Sequence, residues 1–205
     1  MTIKKNTTRF LFLLLISCCV FFISSNLTAI SNQATVPINI TVAGKLIITD
    51  AENDNKSGSD PTLNVNLKLV PDLNNATVSG SSSIRIRTNL NSWKLTAQRS
   101  NLPDSAVNID PKDISLRFTT EAGSKANPNA GKLLSPFNNQ TANLSHISTN
   151  GPIDLLVGLS KTSLERDPEN KNNWFQLTSN YSVSPDFFYE IGEWNTTVSY
   201  SLVSP

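Results

Sequence analysis

An apolar residue or glycine occupies every even position of residues 35–49, while the odd positions are mostly polar or small. The even positions are Val36, Ile38, Ile40, Val42, Gly44, Leu46 and Ile48. Because successive side chains of an extended chain point to opposite faces, the pattern predicts a strand with one apolar face. The row is about twice as long as a usual strand of about five or six residues. Gly44 therefore marks either the joint between two strands or the start of an arm that pairs outside its own sheet.

Residues 1–34 have the layout of a secretory signal peptide. An apolar run covers residues 10–23, and three basic residues precede it, Lys4, Lys5 and Arg9. The run is shorter than the roughly 20 residues that a membrane span needs. We predict cleavage after Ala29 or Ala34. The expected product is a secreted or cell-surface protein whose mature chain has no transmembrane segment.

Charge and cysteine content limit the stabilising interactions and the partners that residues 35–205 can have. The chain has 17 Lys and Arg, 16 Asp and Glu and two cysteines, and the predicted signal contains both cysteines and three of the basic residues. The mature chain keeps 14 basic and 16 acidic residues and no cysteine. It must therefore be stabilised by burial rather than by disulfides. Its slightly acidic balance argues against nucleic acid as the partner.

Further alternating segments, separated by turn residues, predict an all-β fold. We expect strands over residues 62–70, 84–87, 93–98, 113–119, 132–134, 152–161, 174–181, 187–191 and 192–202. Residues 152–161 are apolar enough to be buried on both faces, and residues 162–173 are expected to form a short helix or an exposed loop. About eight or nine strands at this spacing predict one antiparallel β-sandwich domain of immunoglobulin-like character over residues 35–205.

Sequence motifs for catalysis are missing, so we predict a non-catalytic protein without metal or cofactor. His146 is the only histidine, and the chain has no Gly-x-Ser-x-Gly elbow. Zinc is disfavoured because it needs several cysteine or histidine ligands. Residues 50–60 are rich in oxygen-bearing side chains, but the closing position of a calcium loop would be Asn64 rather than glutamate. A solvated connection between strands is the preferred interpretation, and calcium binding stays an alternative.

Both ends of the chain resemble fimbrial subunits of the chaperone-usher kind. Residues 39–43, Asn-Ile-Thr-Val-Ala, are followed by Leu46-Ile47-Ile48 and an acidic loop. This start is similar to that of cysteine-free major pilins of the colonisation-factor type. At the other end, Gly192 stands fourteen residues from the C terminus and precedes an alternating strand. The face of that strand carries four residues, Trp194, Val198, Tyr200 and Leu202.

The fimbrial resemblance implies donor-strand exchange, in which the arm of one subunit fills a groove in the next and adds hydrogen bonds to a sheet edge. The implied donor residues are Val36, Ile38, Ile40 and Val42, and Gly44 would let the backbone turn. The resemblance thus implies self-assembly, or assembly with other surface subunits. The alternative is that these residues form the first strand of a complete sandwich.

Two tripeptides also look like those of the cell-wall-binding WxL domains of Gram-positive bacteria, namely Trp93-Lys94-Leu95 and Tyr200-Ser201-Leu202. A further alternative function is a secreted carbohydrate-binding or adhesion module with a glycan as partner. Such a module needs exposed aromatic rings, and Trp174 and Phe188 are the candidates. Adjacent Phe187 and Phe188 cannot both point inward on a strand.

Overall fold

The computed structural model describes residues 38, 40–52, 54, 63, 65–74, 76–100, 107–139 and 142–205. The chain divides into two compact units, Met1–Thr41 and Val42–Pro205. Only Ile38, Ile40 and Thr41 of the first unit are described, so the predicted signal peptide and Val36 lie outside the described residues. Most of the loop considered for calcium, including Asn53 and residues 55–60, lies outside them as well.

Eight strands form two antiparallel four-stranded sheets in the second unit. They are β1 (Leu46–Asp50), β2 (Val78–Thr88), β3 (Trp93–Arg99), β4 (Ser115–Ala122), β5 (Gly131–Leu133), β6 (Ile153–Gly158), β7 (Phe175–Val183) and β8 (Val198–Val203). One sheet has the order β1-β2-β7-β4 and the other β5-β6-β3-β8. The predicted all-β antiparallel fold is confirmed, while its immunoglobulin-like character stays a prediction.

Helical structure in the described residues is limited to one 3-10 turn, Leu144–His146. Asn143 caps this turn, since its side-chain oxygen accepts from the backbone N–H of Ser145 at 3.2 Å. The His146 ring in turn lies 3.1 Å from the backbone nitrogen of Asn143. His146 thus has a local role in holding a turn.

No helix in the described part of the chain is long and apolar enough to cross a membrane.

Alternate residues of the central strands form the core between the two sheets. The fully or almost fully buried side chains include Ile84, Ile86, Leu95, Ala97, Leu116, Leu155, Leu156 and Leu177. Trp93 meets Phe175 of the other sheet edge-on, with ring centroids 6.4 Å apart. The alternate residues Trp93, Leu95 and Ala97 of the predicted strand 93–98 are all fully buried. The period-two pattern of β3 therefore reports its buried face correctly.

Strand β6 lies between β5 and β3 in its sheet. The sequence predicted that both of its faces are buried, and this prediction is wrong. Its register against β3 shifts, so that Leu95 pairs with Leu156 and Thr96 with Asp154. This bulge turns the consecutive residues Leu155 and Leu156 inward together. Asp154 faces outward and forms a 2.7 Å ion pair with Lys94. The continuous apolar run thus arises from a bulge rather than from two covered faces.

Other predicted strands are shortened or wrong. Strand β1 covers only the end of the row at residues 35–49, and β8 begins at Val198 rather than at residue 192. Residues 187–191 form a turn instead of a strand, because the Asp186 carboxylate accepts from the Phe188 N–H at 2.8 Å. Of the two structures expected for residues 162–173, a short helix or a loop, the loop is found.

The predicted strand over residues 62–70 is also wrong, although its burial pattern is right. We call residues 63 and 65–70 the strap. Leu63, Leu67 and Leu69 are partly buried against the core, whereas Asn66 and Lys68 are exposed. None of residues 65–70 shares a backbone hydrogen bond with another described residue. The strap therefore has the face of a strand without the hydrogen bonds of one.

Candidate assembly interface

The apolar row that precedes β1 is exposed to solvent where it is described. We call residues 36–42 the arm, of which residues 38 and 40–42 are described. Ile38 is 81% exposed, Ile40 83% and Val42 78%. Beyond the glycine the same even positions turn inward, because Leu46 and Ile48 pack against the core. One alternating row is thus divided into an exposed part and a buried part.

Asn89 fixes the point at which the chain enters β1. Its side-chain oxygen accepts from the Lys45 N–H, and its amide nitrogen donates to the Ala43 carbonyl, both at 2.8 Å. A Cβ added at Gly44 would lie 2.8 Å from Cδ2 of Leu90. Gly44 therefore allows close approach to the Leu90 side chain, while its role in a turn stays a prediction. The sequence pattern gave no sign of Asn89, which is distant along the chain.

The C-terminal strand β8 brings Val198, Tyr200 and Leu202 partly into the core, as predicted. It pairs with β3 along one edge, and no described strand pairs with its other edge. Upstream, Gly192 lies against Val107, since a Cβ there would be 2.7 Å from Cγ2 of that valine. The buried indole N–H of Trp194 has no hydrogen-bond partner among the described residues. The chain thus ends in an edge strand with an apolar inner face.

The strap packs against Gly80 of β2 and against the core. Gly80 of β2 pairs with Tyr181 of β7, and the Tyr181 hydroxyl lies 3.4 Å from the Tyr200 hydroxyl of β8. The strap packs on Gly80, because a Cβ there would lie 2.8 Å from Cγ1 of Val65 and 3.0 Å from Cδ2 of Leu67. We call this site, formed by Gly80, Tyr181 and Tyr200, the acceptor groove.

Hydroxyl groups line the floor of the acceptor groove. The Tyr200 hydroxyl also lies 3.0 Å from the Ser179 hydroxyl, so three hydroxyls meet there. Burial raises the pKa of Tyr200 well above its ordinary value, and the neighbouring Tyr181 raises it further. The groove is therefore uncharged at neutral pH and suits an apolar segment.

A charged cluster lies on the outer face of the β1-β2-β7-β4 sheet. The Asp54 carboxylate accepts two hydrogen bonds of 2.6 Å from Arg87 and one of 2.9 Å from Arg85. Burial raises the pKa of Asp54, but the hydrogen bonds from Arg87, Thr49 and Arg85 outweigh it and lower the pKa to about 2. Asp54 therefore binds both arginines at once, offsets one of their two charges and is held in place after β1 by them.

We predict that this cluster makes the domain sensitive to acid. Because the pKa of Asp54 is lower in the folded chain, its contribution is complete above the unfolded value of 3.8 and is lost as pH falls towards 2. We expect a loss of about 1–2 kcal/mol, after allowance for solvent screening. Urea denaturation at pH 5 and at pH 2.5 measures it.

Asp54→Asn should lower stability at pH 5 and reduce the difference between the two pH values. Glu169→Gln is the matched control, since its partner Lys171 and Glu169 itself are both mostly exposed. That control should keep the wild-type difference. An Asp54→Asn chain with an unchanged pH dependence would show that the cluster does not set acid stability.

The two candidate ligand aromatics are not brought together. Trp174 lies just before β7, and Arg85 covers its ring at 4.1 Å from the centroid. Phe188 follows the other end of β7 and is 72% exposed beside Phe187. The nine-residue strand between them spans about 30 Å. Trp174 and Phe188 therefore do not form one continuous aromatic strip.

The two WxL-like tripeptides lie side by side, which sequence distance alone did not reveal. Leu95 of β3 pairs with Leu202 of β8, and Ala97 pairs with Tyr200. Trp93 is fully buried, and its indole N–H donates to the Ser160 carbonyl at 2.8 Å. The tryptophan of the first tripeptide therefore belongs to the core and is not a ligand platform.

Comparison with known proteins adds no relative. No protein-family model matches the chain, and no curated protein matches it. An inference about function therefore depends on the arm, the acceptor groove and the surface of the sandwich.

Proposed function

We propose that the chain is an exported, non-catalytic surface protein that assembles by strand addition of its N-terminal arm, in the manner of a pilin subunit. The observation that carries the proposal is the arm itself. Ile38, Ile40 and Val42 point three large apolar side chains into solvent at alternate positions. Strand addition between chains requires a spaced apolar row of this kind in one chain and an unpaired sheet edge in another.

The free edge of β8 supports the same proposal. A peptide strand that adds to an edge gains main-chain hydrogen bonds, while alternate side chains enter the core beneath. The acceptor groove includes Tyr200 of β8, and because Gly80 has no side chain, apolar side chains such as Val65 and Leu67 can lie directly on β2. The arm supplies alternate apolar side chains, with Pro37, Asn39 and Thr41 between them. Neither the arm nor the three residues of the acceptor groove carry a charged side chain.

The test is a charge placed on the arm of the chain from Thr35 onward. Ile40→Asp should convert assembled species into monomer, because a buried carboxylate without a partner is strongly unfavourable in the groove. Since Ile40 is exposed in the single chain, we expect the free energy of unfolding to change by less than about 0.5 kcal/mol. Size exclusion with light scattering measures mass, and urea denaturation measures stability.

Leu73→Asp is the matched control, because Leu73 is 95% exposed and the substitution adds the same charge outside the arm. It should leave assembly unchanged. Equal mass distributions for the Ile40→Asp chain and the wild type would contradict the proposed function.

A further inference from the structure

We propose that the strap is an internal placeholder, which occupies the acceptor groove until the arm of a second copy displaces it. This inference rests on the proposed function and adds a regulatory step to it. A single chain would then keep its own groove covered, and assembly would proceed by exchange of one apolar segment for another.

The strap is held by side chains alone in the described structure. Val65 and Leu67 lie against Gly80, and Leu63, Leu67 and Leu69 pack on the core. In residues 65–70, the backbone makes no hydrogen bond to another described backbone group. An extended segment without ladder hydrogen bonds is displaced more easily than a paired strand, since only its apolar contacts must be replaced.

The arm and the strap have the same residue pattern, which argues that one site accepts both. Residues 36–42 and residues 63–69 both have apolar residues at their first, third, fifth and seventh positions and asparagine at their fourth. The arm reads Val36-Pro37-Ile38-Asn39-Ile40-Thr41-Val42, and the strap region reads Leu63-Asn64-Val65-Asn66-Leu67-Lys68-Leu69. The occupant that displaces the strap is therefore identified as the arm of a second copy.

The two segments differ in ways that favour exchange. All four apolar residues of the arm are β-branched, whereas Val65 is the only β-branched residue at the four matching positions of residues 63–69. Branching at Cβ favours the extended backbone of a strand. The strap also carries the charged Lys68, which stays exposed beside the groove. We therefore infer that the arm pairs with the free edge of β8 more readily than the strap does.

A reversible disulfide tests the exchange. Val65→Cys together with Gly80→Cys should close a bridge that fixes the strap in the groove, because Cγ1 of Val65 lies 2.8 Å from the position of a Cβ on residue 80. Residues 35–205 contain no other cysteine. The same chain should carry Ile38→Asp and Ile40→Asp, so that its own arm does not compete. The probe is a fluorescent peptide of residues 35–43, and binding is followed by fluorescence anisotropy.

We expect the reduced chain to bind the peptide at least about tenfold more tightly than the oxidised chain. A peptide that carries Ile38→Asp and Ile40→Asp should bind neither form. Equal affinity in both redox states would overturn the placeholder and leave arm recognition intact. If the peptide binds neither redox state and also does not bind the chain without the two cysteines, both the placeholder and the proposed function are overturned. Failure of the bridge to form under oxidant would contradict the contact between strap and Gly80.

A second variant covers the case in which the cysteine pair fails to fold. Leu67→Asn weakens the strap and should raise affinity for the peptide in a chain with the disabled arm. Leu73→Asn, on the exposed turn that follows, is the control and should leave affinity unchanged. An affinity for the Leu67→Asn chain that is equal to or below that of the control would count against displacement.

Discussion

Trp93→Ala is expected to destabilise the domain by about 3–5 kcal/mol, which is the usual effect of removing a large buried aromatic side chain. Trp93 is fully buried and packs edge-on against Phe175 of the opposite sheet. Its removal also takes away the hydrogen bond to the Ser160 carbonyl. A cavity would open between the sheets, because no neighbouring element is free to fill it. Urea denaturation followed by tryptophan fluorescence or circular dichroism measures the loss.

Trp174→Ala provides the control of the same residue type. Trp174 is only partly buried; the Arg85 guanidinium lies 4.1 Å from its ring centroid, and its indole N–H donates to the Lys171 carbonyl at 3.0 Å. A cation-π contact of this kind contributes about 0.5–1 kcal/mol near a surface. Similar losses for the two tryptophan variants would show that Trp93 does not hold the sheets together.

Gly158→Ala is expected to have the next largest effect. A Cβ at this position would lie 2.1–2.4 Å from three atoms of the Trp93 ring, which is far inside van der Waals contact. The atoms in the way belong to a fully buried ring rather than to the end of a flexible side chain, so we expect a loss of about 3 kcal/mol. The change in urea midpoint between the variant and the wild type measures it.

Gly151→Ala is the matched control, since nothing lies within 4 Å of a Cβ there. It should be neutral or slightly stabilising, because alanine reduces the freedom of the unfolded chain. The double variant Gly158→Ala with Trp93→Leu should recover part of the loss if the clash with the ring is its cause. A Gly158→Ala chain as stable as the Gly151→Ala chain would contradict the packing described for β3 and β6.

The sequence predicted burial better than it predicted hydrogen bonding. Alternation at Trp93, Leu95 and Ala97 located an inward face correctly, because period two follows from the geometry of an extended chain. Leu67 and Leu69 alternate in the same way, but residues 65–70 make no backbone hydrogen bonds to another described strand. A pattern of side chains reports which face is covered, whereas pairing depends on where other segments lie.

Local turn chemistry and distant contacts explain the remaining differences. Residues 187–191 look like an apolar strand, but Asp186 binds the backbone N–H of Phe188 and bends the chain. The clamp of Asn89 on Ala43 and Lys45 joins residues more than 40 positions apart. The cluster of Asp54 with Arg85 and Arg87 spans more than 30 positions. A single sequence gives no signal for such contacts, so the candidate site could be predicted only at the arm and at β8.

Light scattering after size exclusion, applied to the chain from Thr35 with and without residues 35–43, tests the central claim most directly. If the arm assembles the protein by strand addition, the longer chain should give oligomers that survive unheated detergent, and the shorter chain should be a folded monomer. A monomer from both chains, or a shorter chain that unfolds, would contradict the account. The row before β1 would then be an ordinary part of one sandwich, and function would lie elsewhere, with the exposed loop at Phe187 and Phe188 as the next site to examine.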